Sequence, residues 1–144
     1  HSHYKMQYSN NIITLAKQLT SGLTSNKAKA NALFVWVRDN IDYSFYYNTV
    51  KGASKTLITK SGNCCDQAQL LVALARSAGL SARFATGYCT FTSGNTYGHV
   101  WVQIYVNGAW HALDTTSSRN TYNKINNWNT ASYTPRGIYN TLPY

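Results

Sequence analysis

The sequence predicts an α+β fold, because helical periodicity dominates the first half of the chain and strand periodicity the second. Before residue 80, apolar residues recur at the three- and four-residue spacings of a helix, and after it they alternate with polar residues. An Asn-Gly pair between two alternating segments adds a strong hairpin signal. The 144 residues suffice for one domain with its own core, so we expect a single domain over residues 10–144.

Three helices are predicted before the sheet. The first has Ile12, Leu15, Ala16 and Leu19 on one face, begins at Ser9 or Asn10 as its N-cap, and ends near Gly22. The second spans about Asn26 to Asn40, and the third spans roughly 64 to 79 and stops at Gly79. The aromatic stretch between the second and third helices is interpreted as an irregular connection with strand-like and loop-like pieces.

Three strands are predicted after the helices, in "ARFATGYCTF", "HVWVQIYV" and "WHALDTT". Asn107-Gly108 joins the last two as a two-residue hairpin turn. The tail over residues 117–144 is polar and aromatic, which indicates mostly irregular structure with short strand pieces.

The composition indicates a globular protein with a basic surface. The 44% of hydrophobic residues excludes a disordered chain, and no apolar run approaches the ~18 residues that a membrane helix needs. Thirteen Lys and Arg oppose four Asp and no Glu, for a net charge of +9. Because the basic residues are scattered rather than clustered, they favour a generally basic surface over a nucleic-acid site. We therefore expect neither a membrane nor a nucleic-acid partner.

The N-terminal segment, residues 1–9, is interpreted as a polar tail. It lacks the features of a signal peptide, and His1-Ser2-His3 is typical of a tag or cleavage remnant. We expect His1 and His3 to lie in a disordered terminus and the chain to be a fragment of something longer.

Two adjacent cysteines, Cys64 and Cys65, open the third predicted helix after Asn63, a good N-cap. A thiol in the first turn feels the positive end of the helix dipole, which lowers its pKa and favours the reactive thiolate. Helix geometry separates neighbours by ~100°, so we expect Cys64 to face inward with Ala68 and Leu71, and Cys65 to face outward as a dispensable residue. The alternative is that Cys64 is a small buried core residue.

A histidine and an aspartate complete the candidate site. The hairpin register places His99 and Asp114 on one face of the sheet as diagonal neighbours, within reach of a side-chain hydrogen bond. His111 falls on the opposite face. The sequence thus predicts a Cys64, His99 and Asp114 triad, in which the carboxylate orients the imidazole and the imidazole activates the thiol.

Other site chemistries find little support in the sequence. Three cysteines without a C-x-x-C spacing do not form a typical zinc site, so no cofactor is required, and dependence on a divalent cation is left open. The remaining cysteine, Cys89, lies on a predicted strand and is expected to be buried packing.

These segments also resemble a known superfamily. "GNCCDQAQLLVALARSAGLSARFATGY" is similar to the G-x-C-x-D-x-A and R-x-x-G signature of the transglutaminase-like (papain-like) cysteine enzymes, and "GHVWVQIYVNGAWHALDTT" to their H-x-W-V and D-x-T segment. The resemblance runs from about residue 28 to 116. It implies a transglutaminase-like fold in which a central helix carrying the cysteine packs on an antiparallel sheet. It also implies Cys64 as nucleophile, His99 as base and Asp114 as orienting carboxylate, and gives Cys65 no role.

Within the superfamily, the sequence most resembles the pseudomurein endoisopeptidases of methanogens and their viruses. The likeness extends through "DTTSSRN" and "NWNTASYTPRGIYNTLP". It implies hydrolysis of the isopeptide bond between alanine and a lysine side chain in the peptide cross-links of pseudomurein. It further implies a monomer, made in the host cytoplasm, that acts on the archaeal cell wall at lysis.

Several alternatives stay open at the sequence level. A transglutaminase or general amidase would use the same triad, and a non-catalytic wall-binding module would share the fold. A nucleic-acid-binding protein is supported only by charge. The Cys64 backbone N–H is expected to be one oxyanion donor, with Tyr46, Tyr47 or Asn48 as the second. Trp101 and the tyrosine-rich stretch 43–47 are interpreted either as substrate groove or as packing.

Overall fold

The computed structural model describes residues 8–144, and it has helices in the first half and a sheet in the second. The α+β prediction is therefore confirmed. The predictions for His1 and His3, and for most of the N-terminal tail, fall on residues 1–7 and lie outside the described residues.

In the part of the chain that the structure describes, four helices precede the main sheet. The three predicted ones are present nearly as expected, and a shorter one was not predicted. They are α1 Asn10–Thr20, α2 Asn26–Asn40, α3 Gly52–Thr59 and α4 Cys64–Ser77. Ser25 caps α2 by accepting a hydrogen bond from the Ala28 N–H, and Gly79 ends α4 in the left-handed region that favours glycine.

Helix α3 corrects the interpretation of this stretch as irregular. No side chain of its own segment caps its N-terminus. Instead, the carboxylate of Asp66 in α4 accepts hydrogen bonds from the backbone N–H groups of Val50, Lys51 and Gly52. The capping group therefore comes from a different helix, and a local pattern contains no sign of it.

Helix α4 lies at the centre of the main core. Ten of its 14 residues are buried, because α1, α2 and α3 pack around it on one side and the sheet covers the other. Its leucines contact Leu33 and Phe34 of α2, together with valines of the sheet, in one continuous apolar cluster. Burial of such side chains contributes about 1.5–3 kcal/mol each, so the start of α4 is held by the core of the whole domain.

The strands within residues 8–144 are β1 Asp42–Tyr43, β2 Ser61–Gly62, β3 Ala82–Thr90, β4 Thr96–Val106, β5 Ala109–Leu113 and β6 Thr134–Tyr139. The main sheet is antiparallel, with strand order β5-β4-β3-β6. A separate parallel pair, β1 with β2, joins the segment before α3 to the residues before α4.

The hairpin between β4 and β5 has the predicted register. Val106 pairs with Ala109 and Ile104 with His111, across a turn in which Asn107 and Gly108 have φ of 52° and 88°. Both values lie in the left-handed region that a two-residue hairpin turn requires. Pairing stops at Leu113, so Asp114, which the hairpin register places diagonally from His99, lies one residue beyond the paired part of β5. The chain turns away from the sheet at that point.

A second, smaller cluster lies on the face of the sheet opposite α4. It contains Ala85, Cys89, Trp101 and Trp128, with Tyr133 packed against it. The tail between β5 and β6 supplies the last two of these, and it is otherwise irregular as predicted. Within residues 8–144, no helix combines the length and apolar character needed to cross a membrane.

Candidate active site

Cys64 is the first residue of α4, as predicted. Asn63 is the N-cap, and its side-chain oxygen accepts a hydrogen bond of 2.9 Å from the Asp66 N–H. The first backbone N–H groups of a helix have no partner within it, so they favour negative charge at the helix start. Cys64 and Cys65 both contribute to the lining of a groove, but Cys64 is partly exposed and Cys65 is buried, so Cys64 is the accessible thiol of the pair.

His99 and Asp114 make the predicted contact. The Nε2 atom of His99 lies 2.7 Å from Oδ2 of Asp114, and both side chains are buried. Because the carboxylate can only accept, Nε2 is the nitrogen that carries the proton in this contact. Nδ1 is then left for Cys64, with whose thiol the imidazole also interacts.

The carboxylate of Asp114 is held by more than His99. Its Oδ1 accepts from the backbone N–H and the hydroxyl of Thr116, at 3.0 and 2.6 Å. Its Oδ2 also accepts from the indole Nε1 of Trp128 at 2.8 Å. These four donors satisfy a buried charge that would otherwise be costly, and they fix the orientation of the carboxylate.

The charges within the site favour a thiolate and an imidazolium. Hydrogen bonding from Cys65 is the largest cause that lowers the pKa of Cys64, and with the contribution of His99 it outweighs burial and brings that pKa to about 5. Burial acts to lower the pKa of His99, but the charge and hydrogen bond of Asp114, together with Cys64, raise it to about 10. The pair is thus charged across the neutral range, which is the reactive state of a cysteine nucleophile.

Cys65 corrects the prediction of an outward-facing bystander. It is only 4% exposed and belongs to the main core. The start of α4 is accessible from the groove at Cys64, and the packing around the helix covers Cys65, although Cys65 also belongs to the groove lining. Its pKa is raised, first by the hydrogen bond to the Cys64 sulfur and then by burial, so Cys65 remains a neutral S–H donor beside the thiolate.

Replacement of Cys65 by alanine is expected to raise the pKa of Cys64. Because an S–H group is a weak donor, the loss of this hydrogen bond should raise the pKa of Cys64 by less than the roughly one to two units that a strong donor to a charged group supplies. The pH dependence of the rate at which iodoacetamide alkylates Cys64 measures this pKa. Cys65→Ser, which retains a donor, is the matched control and should shift the pKa less. An unchanged pKa in Cys65→Ala would contradict this role.

The groove beside Cys64 has a volume of about 260 Å³. Aromatic side chains of the segment before α3 form one wall, and residues of β3, β4 and β6 form the other. Trp101 was interpreted either as part of a substrate groove or as packing. It lies in the second cluster and does not line the groove, so its role is packing. The tyrosine-rich stretch does line the groove. The lining residues include Tyr43, Phe45, Tyr46, Tyr47, Asn48, Cys64, Tyr88, Tyr97, His99 and Arg136.

The wall formed by the 46–48 stretch is anchored to α4. The Asn63 amide donates to the carbonyls of Tyr46 and Asn48, both at 2.9 Å, and the Tyr46 hydroxyl donates to Asp66. These contacts occupy the side chains of Tyr46 and Asn63. Of the three residues expected as second oxyanion donor, Tyr47 and Asn48 therefore remain.

The other histidine and the third cysteine lie away from the groove. Nδ1 of His111 is 2.6 Å from the Tyr122 hydroxyl, on the face of the sheet predicted for it. Cys89 is fully buried in the second cluster, as predicted. Within residues 8–144, no group of three or more His, Cys, Asp or Glu side chains could hold a metal ion.

Trp128 is a site residue that the sequence did not predict. It lies in a polar stretch without regular periodicity, so only the resemblance of "NWNTASY" to a known family drew attention to the segment. Its ring packs against Trp101 and Tyr133, with centroids 4.7 and 5.3 Å away, while its N–H reaches Asp114.

Replacement of Trp128 by phenylalanine is expected to weaken the site while retaining the packing. Loss of a donor to a buried carboxylate costs about 1–3 kcal/mol, and we expect the free energy of unfolding to fall by this amount. We also expect the catalytic rate to fall about tenfold. Thermal or urea unfolding measures the loss of stability, and kcat measures the loss of rate. Trp101→Phe removes the same atoms from the neighbouring ring without touching Asp114, and an equal rate loss in both variants would contradict the proposed role of the N–H.

Comparisons with known proteins agree with this architecture. The sequence profile described as the transglutaminase-like superfamily matches residues 13–115. No curated protein is significantly similar to the chain in sequence.

Three of the solved structures with a similar fold are from bacteria. A candidate cysteine protease of Cytophaga hutchinsonii is 23% identical, with a TM-score of 0.66 over 90% of this chain and 49% of its own. The periplasmic domain of TgpA from Pseudomonas aeruginosa, bound to ethylmercury, is 23% identical and has a TM-score of 0.61. The match covers 77% of this chain and 45% of the TgpA domain. A candidate protease of Parabacteroides distasonis is 20% identical and has a TM-score of 0.62. The match covers 76% of this chain and 24% of that protease.

The chain spans half or less of the length of these solved structures. At these identities the likeness concerns the fold: helices around a central α4 that packs on an antiparallel sheet. The profile match covers most of the chain and both segments that carry Cys64, His99 and Asp114. By its sequence and its fold, the chain belongs to the transglutaminase-like superfamily.

Proposed function

We propose that the protein is a cysteine endoisopeptidase with Cys64 as nucleophile, His99 as general base and acid, and Asp114 as the carboxylate that orients His99. The observation that carries this proposal is the hydrogen-bonded pair of His99 and Asp114 beside a low-pKa thiol at a helix N-terminus. Such an arrangement supplies a charged nucleophile, a proton carrier and oxyanion donors in one groove.

The reaction is an acyl transfer in two steps. The Cys64 thiolate attacks the amide carbonyl, the Cys64 backbone N–H donates to the oxyanion, and the His99 imidazolium protonates the departing amine as the C–N bond breaks. His99, now neutral, then takes a proton from water as that water attacks the thioester. The carboxylic acid is released, and the thiolate and imidazolium are restored. Asp114 stays ionised and holds the tautomer throughout.

The proposed substrate is the Ala-Lys ε isopeptide bond of pseudomurein cross-links. Its support is the resemblance of several segments to endoisopeptidases of methanogens, together with an open aromatic groove suited to an extended peptide. Two of the similar solved structures are described as candidate proteases, which is consistent with amide hydrolysis. We further propose that the enzyme is monomeric, needs no cofactor for the chemical step and acts at the archaeal cell wall.

Digestion of purified pseudomurein sacculi tests this function. We expect loss of turbidity and, by mass spectrometry, fragments with a new alanine carboxyl group and a free lysine ε-amine. Sacculi that stay intact with the wild-type protein, while a short Ala-ε-Lys isopeptide is cleaved, would refute the wall substrate but not the hydrolase. Failure to cleave either would refute both.

A transglutaminase is the second candidate function, because the same triad and fold serve it. It differs only in the acceptor, an amine instead of water. Incubation with a glutamine-containing peptide and a labelled primary amine discriminates between them. Hydrolysis predicts little label in the peptide, and stoichiometric incorporation would favour the transglutaminase.

A further inference from the structure

Arg136 of β6 is a positively charged side chain in the wall of the groove that contains Cys64. Its guanidinium carbon lies 4.9 Å from the ring centroid of Tyr88 and 4.9 Å from that of Tyr144, so two aromatic rings hold it by cation–π contacts. Gly98 provides the space: a Cβ at this position would lie 3.2 Å from Nη1 of Arg136. The residue next to the candidate base thus has no side chain where the guanidinium rests.

Arg136 differs from the four other arginines of the chain. Each of those donates a hydrogen bond to a protein oxygen, whereas no such bond is found for Arg136 among residues 8–144. The acceptors are the Asn120 carbonyl for Arg38, the Asn140 carbonyl for Arg76, the Gln103 side chain for Arg83 and the Thr92 hydroxyl for Arg119. The N–H groups in the plane of the Arg136 guanidinium are therefore free to donate hydrogen bonds to a ligand in the groove.

No acidic side chain of the protein is available to neutralise Arg136. The chain has four Asp and no Glu. Asp39 pairs with Arg38, Asp66 caps α3, and Asp114 is buried against His99. The last one, Asp42, forms no ion pair within the described residues and does not line the groove. No side-chain carboxylate of the described residues therefore pairs with Arg136, and the two other charges of the groove, the Cys64 thiolate and the His99 imidazolium, offset each other.

We propose that Arg136 is a specificity-determining residue that binds a carboxylate of the substrate, close to the scissile amide. Rings against the guanidinium restrict its motion and leave its edge for a planar partner, and a carboxylate matches that edge with two parallel hydrogen bonds. The substrate class is therefore an isopeptide that carries a free carboxylate near the amide to be cleaved. This inference rests on the proposed function for the identity of the reaction, but not for the binding of the anion.

Alkylation of Cys64 by two matched reagents tests the anion site without any hydrolysis. Iodoacetate and iodoacetamide both form a carbon–sulfur bond with the thiolate and release iodide. They differ in one group: iodoacetate carries a negatively charged carboxylate where iodoacetamide carries a neutral amide. We expect Arg136→Gln to lower the ratio of the iodoacetate rate to the iodoacetamide rate by about fivefold or more. Mass spectrometry of the labelled peptide verifies that Cys64 is the residue modified.

Arg119→Gln is the control for net charge, since Arg119 is exposed and does not line the groove. It should leave the ratio near the wild-type value, and Arg136→Lys should restore part of the preference. The iodoacetamide rate reports whether the groove survives each substitution. A ratio unchanged in Arg136→Gln, or lowered equally in Arg119→Gln, would overturn the proposal.

Hydrolysis of two Ala-ε-Lys isopeptides, one with a free lysine carboxylate and one with the carboxamide, extends the test to the substrate. We expect the wild type to prefer the acid in kcat/KM, and Arg136→Gln to lose that preference mainly through KM. If neither peptide is cleaved while the alkylation ratio still depends on Arg136, the hydrolase proposal fails and the anion site stands. If both are cleaved equally well by the wild type, the specificity role fails and the hydrolase stands.

Discussion

Replacement of Cys64 by alanine is expected to lower the hydrolytic rate by about 10⁴-fold or more, because no acyl-enzyme forms without the sulfur. The oxyanion donors and the groove would remain, so any residual rate would reflect binding and polarisation of the amide alone. Release of fragments from sacculi, or cleavage of a short Ala-ε-Lys isopeptide, measures the loss. Because Cys64 is partly exposed at the start of α4, its replacement should leave the free energy of unfolding nearly unchanged.

The two other cysteines are the matched controls. Cys65→Ser retains a donor beside Cys64, and Cys89→Ala alters a buried site on the far side of the sheet. Both should keep most of the activity, with any loss in Cys89→Ala traced to stability. Wall-lysing activity that survives in Cys64→Ala would mean that another residue is the nucleophile, or that the protein acts by binding alone.

Replacement of His99 by alanine is expected to reduce the rate by a similarly large factor, about 10³-fold or more. The substitution removes the proton carrier and also leaves the Asp114 carboxylate buried without its partner. His111→Ala is the control, since it removes an imidazole that is bonded to Tyr122 outside the groove. A loss of activity in His111→Ala as large as that in His99→Ala would contradict the assignment.

The pH profile gives an independent test of this pair. The thiolate of Cys64 is lost as the pH falls through about 5, and the imidazolium of His99 is lost as the pH rises through about 10. The rate should therefore form a broad plateau that declines on both sides, and the two limbs belong to the coupled pair. In His99→Ala, the acid limb of Cys64 alkylation should move to higher pH, because the thiolate loses its positive neighbour. An acid limb that stays in place would show that Cys65 lowers the pKa of Cys64 without any contribution from His99.

Much of the fold could be predicted because it is encoded locally. The bounds of α2, the cap at Asn63 and the turn at Asn107-Gly108 depend on residues a few positions apart, and the structure agrees with each. The approach of His99 to Asp114 also follows from the hairpin, since strand alternation and a two-residue turn determine which side chains share a face.

Other features could not be predicted, because each depends on a segment far away in the chain. Helix α3 is capped by Asp66 from the next helix, so its own sequence lacks a start signal. Cys65 was expected to be exposed, but the packing around α4 leaves that helix almost no solvent face. Trp128 lies in an irregular stretch whose contact with Asp114 exists only after the tail crosses the sheet.

Local sequence patterns were enough to predict that helices precede the antiparallel strands, that Cys64 begins a helix and that His99 contacts Asp114. These depend on periodicity and turn geometry, which act over short distances along the chain. The closed fold was needed to show that Cys65 is a buried donor, that Trp128 and Thr116 hold the carboxylate of Asp114, and that Arg136 lies against two aromatic rings in the groove. Burial and hydrogen bonding between distant segments arise when the core closes, and periodicity does not report which distant groups then meet.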